Sequence, residues 1–238
     1  MKPIDVIILA GGLGTRLREV VPDLPKPLAN IEGRPFLDIL LAYLATIENV
    51  QKVVLAISYL GDKIKDHYQG TRYPFTLEYS DEATPLGTGG GLKLAISKTK
   101  SEDLLVLNGD SYFEFDFETF YNFHHEKQAR LTIACLTVPD VSRYGKITLD
   151  PQTQKILAFS EKSKTSHPGL ISGGIYLLKR NLLTFFLDHI PLSLEKEVFP
   201  KLVGQEIYAL PFDAPLIDIG TKQSYSYAIK FFKKRYKI

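Results

Sequence analysis

Near the amino terminus an apolar run stops in a glycine-rich turn: Ile7-Ile8-Leu9-Ala10-Gly11-Gly12-Leu13-Gly14-Thr15-Arg16-Leu17, with Pro25-Lys26-Pro27-Leu28 after it. Residues 6–10 are apolar or small without alternation, which is the pattern of a strand covered on both faces. Gly11, Gly12 and Gly14 let the backbone turn sharply and approach a ligand with no Cβ between them. Successive N–H groups in such a turn form an anion-binding concavity, and Arg16 and Lys26 add positive charge beside it. Two readings follow: a tight turn without a ligand, or a polyphosphate loop. The P-loop is excluded, since no Gly-Lys-Ser or Gly-Lys-Thr stands at its spacing. The dinucleotide fingerprint fails too, because Leu17 occupies the position of its third small residue.

Composition narrows the partners. The chain has 238 residues and a formal net charge of +2, too small to argue for a nucleic acid or a membrane surface. No apolar run approaches the ~18 residues of a membrane span, and no signal peptide is read at the start. The single Cys135 excludes an internal disulfide and a cysteine metal cluster, and its apolar surroundings predict a small buried hydrophobe. The compartment expected is the cytoplasm. The basic end (Lys230, Lys233, Lys234, Arg235, Lys237) is expected to be a solvated helix tail.

Downstream, residues 35–47 have helical spacing, 53–57 read as a strand, 61–69 as a helix and 75–79 as a strand. This βαβαβ beginning implies parallel strands with helices on both faces, and ligands at the carboxyl ends of those strands. Thr84-Pro85-Leu86-Gly87-Thr88-Gly89-Gly90-Gly91 opens a helix to about residue 97. So many glycines there are costly unless something approaches the backbone closely, such as a planar base. Base choice is assigned to the stretch 80–88. Residues 104–107 predict a strand ending in Asn108-Gly109-Asp110-Ser111. A carboxylate at that place needs a partner, and Mg²⁺, which takes hard oxygen ligands, is the one expected.

Beyond this point the pattern turns β-rich, with strands at 131–138 and 156–159 and another opened by residues 144–147. A helix at 117–127 carries His124 and His125, read as surface or satisfied histidines. Ser193 with Glu195 and Glu197 reads as an ordinary helix start, and Thr221 as the N-cap of the last helix. Asp218 is a second isolated carboxylate in an apolar run.

Together these motifs resemble the sugar-1-phosphate nucleotidyltransferases, whose signature reads roughly L-A-G-G-x-G-T-R-L followed by P-K-P. The resemblance extends through Tyr144-Gly145, Glu161-Lys162, Ser172-Gly173-Gly174 and Asp218-Ile219-Gly220. It is strongest to the D-glycero-D-manno-heptose 1-phosphate guanylyltransferases. Departures are Gly91, where many members have Ala, and Ser172, where Asn is common.

The resemblance implies an α/β, Rossmann-like and GT-A-like fold, with a mixed, mainly parallel sheet and helices on both faces. A single domain over 1–238 is expected, its nucleotide half at about 1–115 and its sugar-phosphate half at about 116–238, without the hexapeptide-repeat extension of longer relatives. The implied reaction joins a nucleoside triphosphate, GTP by resemblance, to a sugar 1-phosphate. The implied nucleotide contacts are Leu9, Ala10, Gly11, Gly12, Gly14, Thr15, Arg16, Lys26, Ser80, Gly87, Thr88, Asn108 and Gly109. Sugar-phosphate contacts are Gly145, Glu161, Lys162, Ser172 and Gly173, with Asp110 and Asp218 on Mg²⁺. Arg16, Lys26 and Asp110 form the catalytic set: Arg16 for the leaving pyrophosphate, Lys26 for the α-phosphate. The attacking phosphate is already anionic, so no general base is required; positioning and charge neutralisation suffice. A homodimer is compatible with this reading.

Rival readings are a uridylyl- or thymidylyltransferase, a mannose-1-phosphate guanylyltransferase, and a silent nucleotide-sugar-binding regulatory domain. The last would be expected to lack Arg16, Lys26, Asp110 or Asp218. An NAD-dependent oxidoreductase fails on the glycine pattern.

Overall fold

The computed structural model describes residues 1–160 and 165–236. In chain order its strands are β1 (Ile4–Leu9), β2 (Asn30–Ile31), β3 (Arg34–Pro35), β4 (Val50–Ile57), β5 (Thr76–Asp81), β6 (Asp103–Asn108), β7 (Ser111–Phe113), β8 (Leu131–Val138), β9 (Lys146–Leu149), β10 (Ile156–Ser160), β11 (Gly169–Lys179), β12 (Ile207–Pro211) and β13 (Leu216–Asp218). The helices are α1 (Phe36–Leu44), α2 (Gly61–Tyr68), α3 (Gly87–Ala95), α4 (Phe117–Glu126) and α5 (Lys222–Tyr236).

The unalternated apolar run near the start forms β1, which lies between β4 and β6 and is parallel to both. Its side chains divide by strand alternation: Val6 and Ile8 enter one core and Ile7 the opposite one. The first core carries the buried faces of α1, α2 and α5; the second carries Leu92 and Ala95 of α3 and the segment from Leu192 to Leu202. Both faces are therefore covered, which is why the strand needs no polar side. Among the described residues the sheet has nine strands. The path runs β10-β9-β11-β6-β1-β4-β5, with β8 beside β11 and β12 beside β8. The β5–β4–β1–β6 block is parallel. From β11 onward pairing is antiparallel, apart from β12 on β8.

β11 is the hinge between these halves, pairing with β6, β8 and β9. Its register against β8 shifts between Ser172 and Ile175, a β-bulge. Gly174 there has φ +75°, a left-handed conformation that favours glycine. A Cβ on Gly173 would collide with the Phe113 ring. Position 173 is thus small because Phe113 packs against it.

Strand β13 pairs with β7, placing Asp218 opposite Ser111. Thr221 caps α5 as expected, its Oγ1 accepting from Ser224 N at 3.2 Å. Cys135 is fully buried, and burial pushes its thiol up to about 12. The basic end of α5 is not purely a solvated tail, since Arg235 forms a two-pronged pair with Glu114 at 2.8 and 2.9 Å; Lys237 lies outside the described residues. Among the described residues no helix is long and apolar enough to cross a membrane.

Candidate active site

Two cavities open at the carboxyl ends of the parallel strands. The smaller, of 260 Å³, begins where β1 ends: Leu9, Ala10, Gly11 and Gly12 form one wall. Gly87 and Thr88, at the start of α3, form the opposite wall. Asn108 and Gly109, leaving β6, form the floor, with Lys26 and Asp110 at its end. The larger cavity, of 650 Å³, lies over the antiparallel half and is lined by Gly145, Ser172 and Gly173 among others. Asn108 lines both, so the cavities adjoin through that residue. Its Oδ1 is buried without a hydrogen-bond partner among the described residues, a polar atom left for something that enters there.

The Pro-Lys-Pro segment has a clear structural task. Pro25 caps and Pro27 lies within one 3₁₀ turn at Lys26–Leu28, which fixes the backbone on either side of the lysine. Lys26 Nζ then lies 2.7 Å from Asp110 Oδ2, with the lysine side chain only 12% exposed. The second Asp110 oxygen accepts from Ser111 Oγ at 3.1 Å. Asp218 reaches the same region through the β7–β13 ladder, and Ile219 N donates to Asp110 O at 3.0 Å. Asp218 Oδ1 accepts from Gly220 N at 2.9 Å, and its Oδ2 is 4.0 Å from Arg143 Nη2.

Some expected nucleotide contacts lie elsewhere. Ser80 is 1% exposed within β5 and its Oγ faces the interior, because strand alternation turns that position inward. Gly14 does not line the smaller cavity; its φ of +61° turns the chain against Lys26, whose Cβ is 3.4 Å from where a glycine Cβ would be. Thr15 follows it into an exposed turn and lines neither cavity. Arg16 belongs to the larger cavity rather than the smaller one. Glu161 and Lys162 lie outside the described residues.

Three side chains that sequence reasoning did not single out enter the site. Glu82 stands just past β5 in the smaller cavity, where its Oε2 accepts from Leu86 N at 3.0 Å. Burial raises its pKa, partly offset by that hydrogen bond. Arg143 and Glu195 line the larger cavity. Signals for them were weak: Glu82 lay inside the stretch assigned to base choice, while Glu195 was indistinguishable from a first-turn acid. The segment 193–197 is in fact a single π turn (Leu194–Val198) capped by Ser193, not an ordinary helix start. The glycines of the 84–91 loop have a further cause besides ligand approach. A Cβ on Gly87 would stand 2.5 Å from Leu192 O, and one on Gly89 2.8 Å from the Leu192 side chain.

Away from the site, His124 is fully buried, with Nδ1 2.7 Å from Thr132 Oγ1. Its Nε2 has no hydrogen-bond partner within the described residues, so the expectation of a surface or satisfied histidine fits it only in part.

Chemically, the two cavities offer a backbone-lined slot for a nucleotide, and a cation-rimmed space for a second anion, with Arg16, Arg143, Lys146 and Lys196 around it. Two carboxylates sit where they adjoin. The comparisons agree with that geometry. Residues 5–235 match the family described as nucleotidyl transferase. D-glycero-alpha-D-manno-heptose 1-phosphate guanylyltransferase of Campylobacter jejuni is 35% identical over 222 residues, covering 93% of this chain and 97% of its own. The protein of that name from Aneurinibacillus thermoaerophilus is 34% identical, covering 95% and 97%. The crystal structure of HddC from Yersinia pseudotuberculosis complexed with GMP-PN has a TM-score of 0.83 at 35% identity, covering 97% of this chain and 100% of that one. On the family match, the near full-length relatives and the paired cavities, the chain belongs to the nucleotidyl transferase family.

Proposed function

We propose that this chain transfers a guanylyl group from GTP to D-glycero-D-manno-heptose 1-phosphate in the cytoplasm, forming the nucleotide sugar and pyrophosphate. The observation that carries the reading is the junction at Asn108: a nucleotide slot and a cation-rimmed cavity share this lining residue, with Asp110 in the one and Asp218 in the other. A phosphate oxygen of the sugar phosphate attacks the α-phosphorus. The bond from that phosphorus to the bridging oxygen breaks, and pyrophosphate leaves with the electron pair. Lys26, held against Asp110, neutralises charge at the reacting phosphate. Arg16 and Arg143 draw the second anion to the junction. Such fixed charges act without reorganising during the reaction.

Glu82 supports guanine. The guanine edge presents an N1–H and an amino group side by side, and a carboxylate accepts from both. Uracil and thymine present one N–H between two carbonyls, which a carboxylate repels. A buried hydrogen-bonding site rejects the mismatched base strongly. The two relatives named guanylyltransferases support the same choice, and their printed sugar supports the heptose phosphate.

The donor set at the junction fits Mg²⁺. Asp110 and Asp218 are hard oxygen ligands: Asp218 ends β13 opposite Ser111, Asp110 stands in the turn just before Ser111, and neither carboxylate is fully used by protein donors. These two residues would hold the ion, which when bound supplies charge neutralisation to the phosphates. Pyrophosphate release tests the whole reading: GTP, UTP, dTTP, CTP and ATP are crossed against heptose, mannose, glucose and N-acetylhexosamine 1-phosphates. Release dominated by GTP with the heptose phosphate is the expected result. Release with another pair keeps the reaction class and replaces the substrates.

A further inference from the structure

One carboxylate of the larger cavity is hydrogen-bonded to a wall residue of the smaller one. Glu195 Oε2 accepts from Thr88 Oγ1 at 3.0 Å, and Thr88 lines the nucleotide slot. Glu195 Oε1 accepts from Tyr176 OH at 3.1 Å, and Tyr176 lines the larger cavity from β11. Tyr176 OH in turn accepts from Ser172 Oγ at 3.4 Å, and that hydroxyl accepts from Gly174 N at 3.1 Å in the bulge. A continuous hydrogen-bonded path thus runs from the first turn of α3 to the floor of the sugar-phosphate cavity.

The backbone follows the same route. Leu192 N donates to Leu86 O, and Gly89 N to Leu192 O, each at 2.8 Å. Leu194 N donates to Thr88 Oγ1 at 2.9 Å. Gly87 and Gly89 leave no room for a side chain between the loop and Leu192, so the segment packs directly on the loop. A few residues on, Lys196, Phe199 and Pro200 line the larger cavity.

We propose that Glu195 is a positioning residue that couples the two subsites: nucleotide in its slot fixes the Thr88 loop, and through Glu195 and Tyr176 it fixes the cavity that receives the sugar phosphate. The proposal rests on the two-substrate reading given above. Its physical content is a coupling free energy, which is reciprocal for binding. Tyr176 is 1% exposed while Thr88 and Glu195 are half-buried, so the path is shielded from competing water at its tyrosine. Such shielded networks lose much when one member is removed.

The test is calorimetric binding of D-glycero-D-manno-heptose 1-phosphate with and without α,β-methylene-GTP, whose Pα–Pβ linkage cannot be cleaved. The full chain is compared with Glu195→Gln, Tyr176→Phe, Thr88→Val and Thr88→Ser. In the parent, nucleotide tightens sugar-phosphate binding about tenfold, and sugar phosphate tightens nucleotide by the same factor. In Glu195→Gln and Thr88→Val the factor falls toward one, while Thr88→Ser, which keeps the hydroxyl, retains it. Tyr176→Phe loses the factor in the same way and guards against a folding artefact at Glu195. A factor unchanged in Glu195→Gln, or equal in Thr88→Val and Thr88→Ser, overturns the coupling and leaves the two-substrate reading intact. A parent chain that binds the nucleotide but no sugar phosphate overturns both.

Discussion

A Cβ on Gly91 would stand 2.6 Å from Glu82 Oε1, so the glycine makes room behind a carboxylate that lines the nucleotide slot. Position 91 is where the resemblance implies alanine in many members, and in this chain the Glu82 carboxylate leaves no room for its Cβ. Gly91→Ala should push Glu82 out of place and away from Leu86 N. The expected result is a fall in kcat/KM for GTP of about tenfold or more. In a Glu82→Ala background the same change should cost much less, because neighbours sharing a contact are not additive. Steady-state kinetics on the four proteins would show it, and additive losses would count against the pairing.

Glu82→Gln removes one acceptor and adds a donor. Loss of one hydrogen bond to a charged group is worth about 1.5–3 kcal/mol, so kcat/KM for GTP should drop roughly 10–100-fold while that for UTP rises. Because burial raises the pKa of Glu82, it gains its proton at a higher pH than an exposed glutamate. The KM for GTP should therefore climb on acidification before ordinary carboxylates titrate, and should stay flatter in the glutamine variant.

Lys26 and Asp110 are paired across the chain at 2.7 Å. Lys26→Met should lower kcat on the order of 10²–10³ with a smaller change in KM, as expected for loss of one charge-stabilising group. Asp110→Asn should do the same, and circular dichroism should show that both variants fold. A comparable activity in either variant would remove these residues from the catalytic set.

Chelation by EDTA should abolish pyrophosphate release, and Mg²⁺ should restore it. Asp218→Asn should raise the Mg²⁺ concentration needed for half-maximal rate at least about tenfold, as expected when one of a small set of hard oxygen ligands is lost. Titration of rate against free Mg²⁺ distinguishes this from a simple loss of kcat.

Stability should fall with acid in two stages. Asp103 is 7% exposed; burial works to raise its pKa, but contacts with His124 and Lys179 outweigh this and hold it at about 2. His124 is pushed below its usual 6.5, first by burial, with Asp103 offsetting part of the effect. For both groups the unfolded chain takes up its proton at the higher pH. The His124 contribution is complete above about pH 6.5 and shrinks below it, and that of Asp103 is complete above about pH 4 and is lost towards pH 2. The Tm measured from pH 7.5 to 3 should decline accordingly. His124→Asn should flatten the upper stage, and Asp103→Asn the lower.

The parallel half of the fold was legible because each signal was local. The apolar run at 53–57 falls within β4, and the glycine turn lies at the end of β1 as its apolar run requires. Asp110 was legible because a carboxylate after a buried strand has few other reasons to be there. β12, β13 and the register of β11 were not, since their side chains are ordinary and their places are set by distant partners. Ser80 and Glu82 show the limit well. They are two residues apart, but the strand ends at Asp81, so the alternation that buries Ser80 no longer governs Glu82. Glu195 needed Thr88, more than a hundred positions away, before its role could be seen.

The irregularity in β11 has a bearing on how such a site can diversify. Residues 175–179 keep step with β6, so the nucleotide half is anchored there. Residues 169–172 lie beyond the slip and follow β8 and β9 instead. A change on that outer stretch re-aims Ser172 and its neighbours without disturbing the β6 ladder. The slip works like an expansion joint: one half of the molecule can be refitted for a different sugar while the half that holds the triphosphate keeps its register.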